Sequence, residues 1–185
     1  LRNTYWLLAL SLLPTVLGAW IGVSTGITRS LGGIMGLVVF VGGMMAFQFA
    51  IHRFRNSSAG IGILMAFTFF MGLMLSRLLG VVLGMGNGTT LVMSAFASTA
   101  GVFATMATLA TVIKRDLSGM GRWLFAGMIA ILIAGVVNVF IGSSAMMLAL
   151  TALSTVVFSL YMLYDVKNII DGGETNYIMA TTHLF

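Results

Sequence analysis

From residue 123 to residue 164 the chain carries no charged side chain, a run of 42 positions. A helix needs about 20 apolar residues to cross a bilayer, so the run is twice what one crossing requires. Its one turn-like break is Gly142-Ser143-Ser144. Water is absent from the hydrocarbon layer, so backbone donors and acceptors must be satisfied internally, which leaves helices or a closed barrel. A barrel would alternate apolar and polar residues in segments of about 10 residues, whereas these stretches are continuously apolar. The run therefore reads as two transmembrane helices, 123–141 and 144–165, joined by a very short turn.

The remainder follows the same plan. Of 185 residues, 59% are hydrophobic and 7% charged, against roughly 25% charged in a soluble domain. Nothing water-soluble could hide so much apolar surface, so the fold class is all-α integral membrane, a single transmembrane domain over residues 1–185. Charges and glycine-rich breaks give four earlier spans, at 4–23, 31–51, 58–76 and 89–113, for six in all. The first has no small-residue cleavage pattern and reads as a helix rather than a signal peptide. Pro14 within it is expected to bend it. Gly18, Gly22 and Gly26, four apart, form a small-residue stripe that admits a close neighbour, and Ala97, Gly101 and Thr105 repeat the spacing. Gly84-Met85-Gly86-Asn87-Gly88 separates spans three and four. The segment 178–185 turns apolar again and reads as the start of a further helix.

Loop charges set the orientation. With the N-terminus in the cytoplasm, Arg2, Arg53, Arg55, Lys114, Arg115, Arg122 and Lys167 lie inside, and only Arg29 and Arg77 lie outside. This asymmetry also explains the net charge of +5, with no need for a nucleic-acid partner. The partner dictated by composition is the lipid bilayer.

Chemistry-bearing residues are few. Cysteine is absent, and the only histidines are His52 and His183, so no cysteine or histidine metal cluster is expected. The 15 methionines read as adaptable packing. Asp165 is the only carboxylate within or bordering a long apolar span, since Asp116, Asp171 and Glu174 fall in connecting segments. An ionisable group at membrane depth costs about 3 kcal/mol on insertion scales, so it is a functional candidate. Tyr161 and Asn168 share its helix face at i−4 and i+3, and Asn138 is a second buried-looking polar group. A carboxylate partly removed from water can change protonation as the adjoining pH varies, and in its ionised form can pair with an arginine or hold a hard cation such as calcium. Arg53, Arg55 and Lys167 are its candidate charge partners. The plainer reading is that Asp165 caps the helix end at the interface. Catalysis finds no support: an intramembrane aspartyl protease needs two carboxylates in spans, and a serine type needs a base near its nucleophile. No resident cofactor is expected beyond transient calcium.

Several segments together resemble the Bax-inhibitor (TMBIM) family. They are Lys114-Arg115-Asp116-Leu117-Ser118, Gly135-Val136-Val137-Asn138-Val139-Phe140 and Ser159-Leu160-Tyr161-Met162-Leu163-Tyr164-Asp165. The ends, Leu1-Arg2-Asn3-Thr4-Tyr5 and Gly172-Gly173-Glu174-Thr175-Asn176-Tyr177-Ile178, are similar to its proteobacterial YccA-like branch. The resemblance implies six helices around a central seventh, most of which this chain is expected to lack. It implies two roles. One is a pH-sensitive calcium leak, in which the acid matching Asp165 pairs with an aspartate on the last helix. The other is association with the membrane AAA protease FtsH and its HflK/HflC partners, as a substrate that restrains proteolysis in the bacterial inner membrane.

Overall fold

The computed structural model describes residues 2–28 and 33–185, and its helices are α1 (Arg2–Thr25), α2 (Gly33–Phe54), α3 (Ser58–Leu83), α4 (Gly88–Val112), α5 (Met120–Ile141), α6 (Ser144–Ile170) and α7 (Tyr177–Leu184). The first six are long and apolar enough to cross a membrane, and no strand occurs among the described residues. Arg29, counted above as an outside charge, and the first two residues of the span expected at 31–51 lie outside the described residues.

Two boundaries differ from expectation for physical reasons. α3 continues through Arg77 to Leu83, because a lone exposed arginine does not interrupt helical hydrogen bonding. The chain turns only at the glycine cluster, where the Gly84 N–H donates to the Gly80 carbonyl at 3.3 Å. α6 likewise runs on to Ile170, which leaves Asp165 inside the helix rather than at its end. α1 continues through Pro14 as one helix.

The chain divides into two compact units, Leu1–Ala97 with Glu174–Phe185, and Ser98–Gly173. In the first, α1 and α3 make the most extensive pairing. Its cause is visible in the glycines. A methyl on Gly18 would collide with the Phe69 carbonyl oxygen, and one on Gly72 with the Thr15 carbonyl. A side chain on Gly22 would meet the Ser76 hydroxyl. Lipid tails offer no hydrophobic gain for helix association, so such backbone-to-backbone contact supplies the attraction through dispersion. Gly18 and Gly22 thus serve as the spacing suggested, whereas Gly26 lies beyond the end of α1. Its φ of +66° and its N–H bond to the Gly22 carbonyl, 3.1 Å, make it the terminator of α1. On α4, a side chain at Gly101 would meet nothing within 4 Å.

α7 enters the core formed by α1, α2 and α3. Ile178 is 1% exposed and joins Leu7, Ile51, Leu64 and Phe67, with Phe185 edge-on to Phe67 at 6.0 Å. Asn176 starts this helix: its Oδ1 accepts from the N–H groups of Ile178 and Met179, at 3.0 and 3.2 Å. Its Nδ2 donates to the Arg55 carbonyl and to Asn56 Oδ1, both at 2.8 Å, which ties α7 to the end of α2. Thr181 and Thr182 are polar yet buried because their hydroxyls donate to the carbonyls of Tyr177 and Ile178, four residues back. Thr105 and Thr108 on α4, both exposed, likewise donate to the carbonyls four residues back.

Candidate functional site

The second unit is built on the α5–α6 hairpin. At its turn, Gly142 adopts φ +67° and its N–H donates to the Asn138 carbonyl at 2.7 Å. The Asn138 side chain accepts from the Ser143 N–H at 3.1 Å, and Ser143 Oγ from Met146 N–H at 3.3 Å. Asn138 is therefore occupied in closing the hairpin. It sits on α5 at the hairpin turn, and the start of α6 at Ser144 is about 32 Å along the helix from Asp165 at 1.5 Å per residue, so the two do not form one site.

At the opposite end, Tyr161, Asp165 and Asn168 are all partly buried on α6. Spacings of four and three residues place them along one stripe. Lys167 is directed elsewhere: its Nζ donates to Asp171 Oδ1 at 2.7 Å. Asn168 packs on Gly173, whose N–H donates to the Asn168 carbonyl at 2.9 Å, closing the helix end. Arg53 and Arg55 stand at the end of α2 and just beyond it, in the first unit; Arg53 is exposed, and the Arg55 carbonyl receives the Asn176 amide.

The structure adds a second polar grouping that the sequence reading passed over. A small pocket of about 150 Å³ is lined by Asp116, Ser118, Tyr164, Lys167, Asn168 and Asp171. Positions 164, 167, 168 and 171 follow helical spacing, so this is a different face of α6 from the Asp165 stripe, with Asn168 shared between them. Asp116 closes its own loop, accepting from the Ser118 N–H at 2.8 Å and the Ser118 hydroxyl at 2.9 Å. These two bonds, with the Lys167 charge behind them, hold its carboxyl below the ordinary value of 3.8. Tyr164 reaches α5 at Gly121, where an added Cβ would lie 2.9 Å from the hydroxyl. Two signals were present in the sequence: the Asp-x-Ser spacing of a self-bonding turn, and the Lys167/Asp171 spacing of four.

With two carboxylates and one ammonium, the pocket anchors the α4–α5 connection beside the end of α6. Among the described residues, no group of three or more His, Asp or Glu side chains converges in a way that could hold a metal ion.

Comparison with known proteins bears on this arrangement. The family model for inhibitor of apoptosis-promoting Bax1 matches residues 1–185. An uncharacterised membrane protein of Vibrio cholerae is 34% identical over the whole chain, which covers 81% of that protein. The protein named modulator of FtsH protease YccA in Escherichia coli K12 is 36% identical over the whole chain, covering 82% of it. Its counterpart in Escherichia coli O6:H1, with the same identity and coverage, is named inner membrane protein YccA. With a family match along its full length and, among the described residues, six helices long and apolar enough to cross a membrane, the chain belongs to the Bax-inhibitor family of multi-pass membrane proteins.

Proposed function

We propose that this chain is a non-enzymatic modulator of the membrane AAA protease FtsH, acting with HflK/HflC in the bacterial inner membrane and itself a substrate. The observation that carries the reading is the 36% identity, without loss of either end of the chain, to the Escherichia coli protein named for that modulation. The N-terminus faces the cytoplasm in this reading, as the loop charges favour. That places the α4–α5 connection and the end of α6 on the cytoplasmic side. Tagged chain expressed in Escherichia coli membranes and solubilised in mild detergent should bring FtsH with it. Absence of FtsH from the purified material, with the chain intact and membrane-inserted, would reject the reading.

The second reading is a pH-sensitive calcium leak governed by protonation of Asp165. It is favoured by the partly buried stripe Tyr161–Asp165–Asn168 on a membrane-spanning helix. One carboxylate satisfies little of the six to eight oxygens calcium prefers, so bound calcium would be transient and largely hydrated. Calcium flux into proteoliposomes should respond to pH, and Asp165→Asn should abolish that response. Flux that is absent or indifferent to pH counts against it.

A further inference from the structure

We propose that the α4–α5 connection is a docking surface for anionic phospholipid headgroups, contacted by Lys114, Arg115 and Arg122. Lys114 and Arg115 follow the last residue of α4 by two and three positions, and Arg122 is the third residue of α5. All three are exposed and, among the described residues, carry no ion pair. The ends of two membrane-spanning helices fix their depth at the headgroup layer, where basic side chains meet lipid phosphates.

The one acid in the connection offsets only part of their charge, one carboxylate against three cations. Asp116 spends both carboxylate oxygens on Ser118 and lies in the pocket beside Lys167. Its oxygens are engaged within its own loop and not by Lys114, Arg115 or Arg122. Lys167, by contrast, is neutralised by Asp171 and 9% exposed, so it is not part of the surface. Trp123 follows Arg122 in the first turn of α5 and is 81% exposed, an amphipathic ring suited to the same interfacial depth. Three exposed cations against one carboxylate, with an exposed indole beside them, fit a negatively charged headgroup above acyl chains.

Trp123 also supplies the probe. In a Trp6→Phe/Trp20→Phe background the purified chain has one tryptophan, Trp123. Phosphatidylglycerol spin-labelled in its headgroup is titrated into the detergent-solubilised protein, with spin-labelled phosphatidylcholine as the neutral comparison. Each basic residue near an anionic surface contributes on the order of fivefold in affinity, so half-quenching by phosphatidylglycerol should need at least about tenfold less lipid. Lys114→Gln/Arg115→Gln/Arg122→Gln should remove that preference while leaving phosphatidylcholine quenching unchanged, which shows the variant is folded. Equal half-quenching by the two lipids overturns the proposal, as does an undiminished preference in the triple variant. Displacement of labelled phosphatidylglycerol by an equal charge of inorganic phosphate would assign the preference to a free anion. Displacement by polyglutamate would assign it to an acidic protein segment. Either outcome overturns the proposal.

Discussion

Lys167 and Asp171 face each other across one turn of α6, with Nζ 2.7 Å from Oδ1, yet they sit in unequal surroundings: the lysine side chain is 9% exposed and the aspartate 45%. Loss of either partner should therefore be unequal too. Asp171→Asn leaves a buried ammonium without its counter-charge and should cost about 1–2 kcal/mol, a fraction of a fully buried pair. Lys167→Met leaves a carboxylate that water can solvate and should cost below about 0.5 kcal/mol. Thermal unfolding of the two variants in detergent measures the difference, and equal losses would show that the lysine is not buried as described.

The α1–α3 contact gives the second prediction. Gly72→Ala and Gly18→Ala each place a methyl against a facing backbone carbonyl that cannot move independently of its helix. Each should destabilise the protein by about 2–3 kcal/mol through overpacking. Gly101→Ala meets open space and should be neutral or stabilising by up to about 1 kcal/mol, because alanine is the better helix former. Comparing unfolding midpoints of the three variants separates close packing from helix propensity.

A third concerns α7. Asn176→Ala removes the cap of that helix and both donors to the end of α2. The expected loss is about 1–2 kcal/mol, confined at first to α7. Asn176→Asp keeps the capping oxygen and loses only the donors, so it should recover part of the loss. Amide hydrogen exchange at Thr181 and Thr182 is the readout: faster in Asn176→Ala, intermediate in Asn176→Asp.

Asp116 gives a pH dependence with a definite sign. Its two bonds to Ser118 lower its folded pKa from 3.8, so the stability it contributes is present above the unfolded value. That stability is lost as pH falls below about 4, through the folded value. Ser118→Ala removes the hydroxyl bond and should move the carboxyl titration back toward its ordinary value. NMR titration of the Asp116 side-chain carbonyl tests this, and an unchanged midpoint in Ser118→Ala would contradict the bonding described.

The spans were readable because continuously apolar runs of about 20 residues suit a helix crossing and lack the alternation of a barrel, and the α5–α6 turn because glycine and serine interrupt the longest of them. What the sequence hid depends on three-dimensional register. Gly26 continues the spacing of Gly18 and Gly22, and only the path of the chain shows that the helix has ended there. Asp116 and Asp171 are 55 positions apart in connecting segments, and the fold of the hairpin brings them to one pocket. The eight residues of α7 are too few to announce a core element, and their polar Thr181 and Thr182 argue against burial until the intrahelical hydroxyl bonds are seen. The Tyr161–Asp165–Asn168 stripe was legible from helical periodicity alone; the separate role of Lys167 was not, because a lysine two residues from an acid and four from another can turn to either.

The most direct measurement of the proposed role is the half-life of a membrane-embedded FtsH substrate in Escherichia coli cells that lack their own YccA and produce this chain instead. The account predicts a half-life prolonged severalfold over cells with an empty vector, with the chain found in the inner membrane. An unchanged half-life, at equal membrane levels of chain and protease, would contradict it.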